Sequence, residues 1–270
     1  MLFSQREGIT IPRELNKDDM PEAVKNRFWN VLKRYIESQH GDRREMLIES
    51  IWDGFLSNDI DHLERNTNLF DGLYYYLDQI KSEYRDLPWY RVYDFIEYVL
   101  IESDDTYLRA NIIKDFNQLF FDERVPYRIV DDRIVPQISI EEAEEVGVAL
   151  SDERSEVRGH FRKALEFYSK RPDADYKNSI KESISAIEAL ARIYTNTPSG
   201  TLGVLSQQLN IHPALKKALK DLYGWTSDEG GIRHSETGKD FEFSAGESEA
   251  RFMLVECSAL VNYIVSKYEK

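Results

Sequence analysis

Apolar residues recur every three or four positions through most of the chain, the signature of helices that bury one face. Val24, Phe28, Val31, Leu32 and Tyr35 set this spacing over 20–36, and Pro21 suits the first turn, where a missing N–H costs nothing. Met46, Leu47, Ile51, Trp52 and Phe55 repeat it over 44–56. The segments 69–84, 89–102 and 107–121 continue it with many aromatics; Tyr90, Tyr93 and Tyr98 with Phe95 read as a core wall rather than a base-stacking surface. The period changes at VPYRIVDDRIVPQI, 125–138, where two short β-branched runs flank Asp131 and Asp132 between Pro126 and Pro136. That pattern predicts a β-hairpin. Ser139 and Glu142 stand in capping-box spacing for a helix over 140–150. This helix can run on as a connector through 153–169, on the apolar face Val157, Phe161, Ala164, Leu165 and Tyr168.

Beyond a turn at 170–178, Ile180, Ile184, Ile187, Ala191 and Tyr194 form one helical stripe, which TNTPSG at 195–200 interrupts. A short helix is expected over 202–209. Pro213 opens another that runs through Tyr223, with Gly224 placed as its C-terminal cap. The last helix, 247–268, contains RFMLVECSALVNYIV and is apolar nearly all round, as a helix central to a bundle or shared with a second subunit would be. The expected fold is therefore mainly α. An N-terminal helical domain, 1–150, carries the hairpin, and a C-terminal helical bundle spans 151–270. A long polar segment, 225–246, separates the last two helices, and a loop of that length in a helical domain is usually functional or disordered.

Charge divides the same way. The net charge of the 270 residues is −14, yet 1–150 holds 31 acidic against 18 basic side chains, whereas 151–270 holds 18 against 17. An acidic front half disfavours phosphate contacts; a nearly neutral back half can still focus a local positive site. One cysteine, Cys257, excludes a disulfide framework and a cysteine zinc site. The absence of a long apolar run and the polar start MLFSQREGIT predict no membrane span, no signal peptide and a cytoplasmic setting. The five histidines, at 40, 62, 160, 212 and 234, never fall within four residues of one another, so no metal site is expected. Phosphate-loop, dinucleotide and nucleophile-elbow motifs are missing too, and no cofactor is expected.

What remains for chemistry is SDEGGIRHSETG, 227–238. Thr226 and Glu229 stand in capping-box spacing, so Arg233 and His234 can fall in the first turn or two of a helix, where backbone N–H groups favour anions. Gly230 and Gly231 permit close backbone approach by a ligand. His234 can move a proton near neutrality, and Arg233 can neutralise charge on phosphate oxygens. On spacing alone the alternative stands beside this: a solvated loop in which Arg233 pairs with Asp228 or Glu229. Glu188 lies at the border of the Ile184 stripe, about 40° round the helix, where it can orient Arg233 or the imidazole or else form a packing salt bridge. An upstream Arg158–His160 pair reads as ordinary helix surface beside Val157 and Phe161.

The segments KALEFYSKRPDADYKNSIKESISAIEALAR, YGWTSDEGGIRHSE and EARFMLVECSALVNYIV resemble the C-terminal domain of AbiJ-like abortive-infection proteins, a member of the HEPN superfamily of nucleotide-binding domains. FSQREGITIPRE with KNRFWNVL, and YRIVDDRIVPQIS, resemble the domain that often precedes it. The resemblance implies an up-and-down bundle that dimerises, here through 247–268. It also implies a metal-independent ribonuclease acting on RNA, such as tRNA, in anti-phage defence or as a toxin. In such domains four to six residues separate an arginine from a following histidine, the 2′-hydroxyl attacks the adjacent phosphate, and two subunits share one cleft. The implied catalytic residues are Arg233, His234 and Glu188, with Asp228, Glu229, Gly230 and Gly231 against the substrate. This chain departs from the spacing, because 238–240 are Gly, Lys and Asp. Either His234 takes the catalytic role in altered geometry, or the domain is a non-catalytic dimerisation, nucleotide- or RNA-binding module or a regulatory partner in a defence complex. The acidic front half suits a partner protein.

Overall fold

Helix α1 (Glu22–Ser38) opens directly behind Pro21, whose φ of −56° suits a helix entry. It buries Val24, Phe28, Trp29, Val31, Leu32, Tyr35 and Ile36, the face its spacing marks. The computed structural model describes residues 20–59, 69–136, 138–227 and 245–269, with a few isolated positions before 20. It forms two units, Met1–Ile140 and Glu141–Lys270.

In the first unit, α2 (Asp42–Glu49) passes into a π-helical turn, Ser50–Phe55. The regular helix expected over 44–56 therefore widens midway. Leu47, Ile51, Trp52 and Phe55 are buried as the pattern requires, but Met46 is 64% exposed. The Tyr98 hydroxyl inserts here: it donates to the Ser50 carbonyl at 3.0 Å and leaves no room for a Cβ at Gly54. A side chain entering the backbone ladder is a sufficient cause for such a widening.

Three longer helices follow, α3 (Leu69–Asp86), α4 (Trp89–Ile101) and α5 (Thr106–Asp122). Asp105 caps α5 by accepting the Leu108 N–H at 2.9 Å. Phe28, Trp29, Tyr84, Phe95, Phe116 and Phe120 are fully buried between these helices, with Phe28 edge-on to Phe116 at 5.8 Å. Tyr93 and Phe95 belong to this wall, whereas Tyr90 stands on the surface.

Strands β1 (Tyr127–Val130) and β2 (Arg133–Pro136) pair antiparallel, Val130 opposite Arg133. The turn residues Asp131 and Asp132 have φ of +47° and +65°, the handedness a two-residue hairpin turn demands. Side chains satisfy backbone groups that a two-stranded sheet leaves open. Asn117 bonds both the N–H and the carbonyl of Ile129, at 2.7 and 2.9 Å, and Glu97 accepts the Ile134 N–H at 2.5 Å.

The second unit is built on α6 (Ile140–Leu150), α7 (Ser155–Ser169), α8 (Tyr176–Thr195), α9 (Leu202–Gln208), α10 (Pro213–Ser227) and α11 (Glu247–Tyr268). From Glu141 onward α6 falls in this unit. Its Glu142 takes Arg251 of α11 in a two-point ion pair at 3.2 and 2.5 Å, and Glu145 accepts from Asn262 at 2.8 Å. The helix does not continue into 153–169. Asp152 folds back on Arg154, accepting its backbone N–H at 2.8 Å and its guanidinium at 2.9 Å, and this local bond ends one helix and starts the next. The central helix is α8, packed between α7 and α11. Asp175 caps its start, and Asn196, at φ +49°, ends it in the left-handed conformation. Helix α10 does not stop at Gly224. Packing of Trp225 on Phe252 and burial of Thr226 carry it to Ser227, at the cost that a glycine imposes on a helix interior.

Candidate functional site

Asp228, Glu229, Gly230, Gly231, Arg233 and His234 all lie outside the described residues. The structure describes the two helix ends that carry this segment. On the leaving side, the Trp225 ring meets Phe252 edge-on at 6.0 Å, and the Thr226 hydroxyl, fully buried, donates to the Tyr223 carbonyl at 2.9 Å. On the returning side, Glu249 accepts the Gly246 N–H at 3.0 Å, which satisfies one of the unpaired donors at the start of α11.

Around the start of α11 lies a cluster of charged and aromatic groups. Arg171, in the turn after α7, pairs with Glu247 at 3.0 Å, and its guanidinium lies 5.9 Å from the Tyr176 ring centroid. Tyr168, fully buried, packs 6.3 Å from the same ring. Burial, reinforced by Glu247 and opposed by Arg251 and Arg171, pushes the Tyr168 hydroxyl up to about 12. Arg171 and Arg251 thus stand near the α11 start with carboxylates already on them, Glu247 and Glu142.

Glu188 sits on α8, half-buried, and accepts the Leu202 N–H at 2.9 Å. It therefore serves the first turn of α9, whose start is otherwise an unpaired donor. Opposite Gly203 in the same turn lies Tyr223 of α10, whose ring carbon would stand 3.8 Å from a Cβ there. Glu188 is thereby fixed close to the helix that leads into 228–244.

The Arg158–His160 stretch is more than plain helix surface. Val157 and Phe161 are buried as expected. His160 Nδ1, however, lies 2.7 Å from Glu182 Oε2, with side-chain exposures of 23% and 16%. A carboxylate on one ring nitrogen fixes the orientation of an imidazole and supports proton transfer at the other. Sequence spacing gives no hint of this pair, since it depends on the antiparallel register of α7 and α8. That register is set where the buried Ser179 hydroxyl donates to the Ala164 carbonyl at 2.8 Å. Among the described residues, no three His, Cys, Asp or Glu side chains gather as a metal group would. Among them too, no helix is long and apolar enough to cross a membrane.

A family model described as AbiJ N-terminal domain 4 matches residues 1–152, from the N-terminus through the aromatic core, the hairpin and α6. No curated protein and no solved structure matches the chain. With more than half of its length covered by that match, the chain belongs to the AbiJ N-terminal domain 4 family.

Proposed function

We propose that the chain is an abortive-infection effector whose C-terminal bundle is a HEPN-type endoribonuclease that works without a metal. The AbiJ-family domain over 1–152 supports the defence setting. The observation that carries the reading is the helical unit behind that domain, in which 228–244, with its Gly-Gly-x-Arg-His run, connects α10 to the long apolar α11. The 2′-hydroxyl of the substrate RNA attacks the neighbouring phosphorus, and His234 takes its proton. Arg233 neutralises the charge that builds on the non-bridging oxygens. The 5′-oxygen leaves with a proton returned from an imidazole, and the products carry a 2′,3′-cyclic phosphate and a 5′-hydroxyl. Glu188 is a positioning residue, Asp228 to Gly231 line the RNA, and two copies joined through α11 share the cleft.

The test is cleavage of tRNA and single-stranded RNA in EDTA. Wild type is expected to release cyclic-phosphate ends. Arg233→Ala and His234→Ala should each slow this by about a hundredfold or more, the scale of a lost general base or oxyanion donor, with unchanged melting temperature. His160→Ala should cut at nearly the wild-type rate. Full activity in His234→Ala, or loss in His160→Ala alone, overturns the assignment. A second reading is favoured by the departure from arginine-to-histidine spacing: a non-catalytic dimeric module that binds nucleotide, RNA or, through the acidic front half, a partner protein. RNA binding without cleavage selects it.

A further inference from the structure

The first unit holds a cavity of about 380 Å³ that the proposed RNA chemistry does not use. Its walls are Trp52, Asn58 and Asp59 on one side and Tyr75, Tyr76, Gln79 and Glu83 on the other. The second set is a stripe along α3 at helical spacing, so one face of one helix supplies two phenol rings, an amide and a carboxylate. The first set comes from the irregular exit of the π-helical turn. There the backbone bonds reach unusually far, Asn58 N–H to the Trp52 carbonyl at 3.0 Å, and Ser57 adopts φ of +58°. The Trp52 indole is held by its N–H on the Asp59 carbonyl at 3.0 Å.

Two features mark this as more than a surface dent. The left-handed Ser57 costs free energy, and such a conformation persists where the surrounding structure needs it, whereas the π-turn beside it is accounted for by the Tyr98 hydroxyl. The Asn58 side-chain nitrogen is buried and lacks a hydrogen-bond partner among the described residues, a donor left for an acceptor atom elsewhere on the bound molecule, such as a peptide carbonyl. The size falls in the range of small-ligand sites.

The lining fixes the chemistry. Three aromatic rings and two carboxylates meet with two amides, and among the described residues no lysine or arginine lines the cavity. Aromatic faces attract cations, carboxylates pair with them, and neither welcomes a phosphate. The surrounding domain adds a negative field, with 31 acidic against 18 basic side chains in 1–150. We propose that this cavity binds an organic cation, a guanidinium or alkylammonium group stacked among Trp52, Tyr75 and Tyr76 and paired with Glu83 and Asp59. The group is either a free small molecule or the side chain of a basic partner protein.

Titration calorimetry on the full chain decides this with four probes: agmatine, spermidine, a short arginine-containing peptide and guanosine monophosphate. Saturable binding of agmatine or spermidine identifies a free ligand, and binding of the peptide alone identifies a partner's side chain. In either case Glu83→Gln and Tyr75→Ala, both exposed positions, should weaken binding at least tenfold with no change in the circular dichroism spectrum. The proposal is overturned by silence from all three cations, by undiminished binding in both variants, or by binding of the nucleotide in their place. These outcomes are independent of RNA cleavage.

Discussion

Tyr84 and Lys25 hold each other's helices in a reciprocal arrangement. The Tyr84 hydroxyl donates to the Lys25 carbonyl at 3.0 Å, while the Lys25 ammonium donates to the Arg85 carbonyl and, at 2.7 Å, to the Leu87 carbonyl. A buried lysine thus serves the last carbonyls of α3, where the helix dipole is negative. Tyr84→Phe should cost about 1 kcal/mol, the net worth of one buried neutral hydrogen bond. Lys25→Met should cost about 2–3 kcal/mol, because two partly buried carbonyls lose a charged donor. Thermal melts of both variants and of the double variant check this, and the double should be less than additive because the two residues share one junction.

Alkaline pH should weaken the protein through its buried phenols. The Tyr168 hydroxyl stands at about 12 against an ordinary value of 10.0, chiefly from burial, and burial pushes Tyr84 and Tyr93 still higher. A raised value in the fold means the unfolded chain loses its proton first. The stabilisation is complete below pH 10 and is lost as pH climbs toward and through 12. Melting temperature should therefore be flat from pH 8 to 9.5 and fall steeply above 10. Tyr168→Phe keeps the ring and removes the titration, so its slope above pH 10 should be shallower than that of wild type.

Glu188 gives a sharper test of position against charge. Its acceptance of the Leu202 N–H makes it a cap for α9, worth about 1 kcal/mol by the usual cost of removing a capping side chain. Glu188→Ala should lower the melting temperature accordingly, and Glu188→Gln should restore most of it, since an amide oxygen still accepts. If Gln restores stability but not RNA cleavage, the negative charge itself positions Arg233 or His234. If Gln restores both, the cap is the whole of its role.

How far the sequence exposed all this depends on the range of the interaction. The period of apolar residues set α1 and α11 within two residues and the end of α8, and the β-branched runs set the hairpin. Helix α8 starts earlier than its stripe, at Tyr176 within the expected 170–178 turn, because Asp175 caps it there. The misreadings each have a long-range cause. Gly224 looked like a cap, but Trp225 on Phe252 outweighs its helix cost. The segment 44–56 looked like one regular helix, but Tyr98, from α4, enters its ladder. The connector over 150–155 looked continuous until Asp152 turned on Arg154. The His160–Glu182 pair and the aromatic cavity join residues from separate helices, and no spacing rule reaches them. Arg233 and His234 stand out in the sequence by residue type alone, and they lie outside the described residues.

The outer face of α11 leads to the last prediction. Phe252 and Tyr263 are 49% and 42% exposed, and half-buried Val255 and Ala259 lie between them at helical spacing. An apolar stripe of this kind on a helix whose other side is already in the core is suited to a second copy of the same chain. A mutual interface requires the stripe to face its own image, so a single charge is introduced twice in each dimer and repels itself. Tyr263→Glu is therefore expected to sediment at 31.7 kDa where wild type sediments at twice that mass, with a melting temperature changed by only a few degrees for want of a lost core contact. Phe252→Glu should do the same with a larger loss of stability, since it also abandons Trp225. RNA cleavage should fall with the dimer if the cleft is shared. A Tyr263→Glu protein that remains dimeric, or a wild type that cleaves as a monomer, would put the interface elsewhere or remove it from the mechanism.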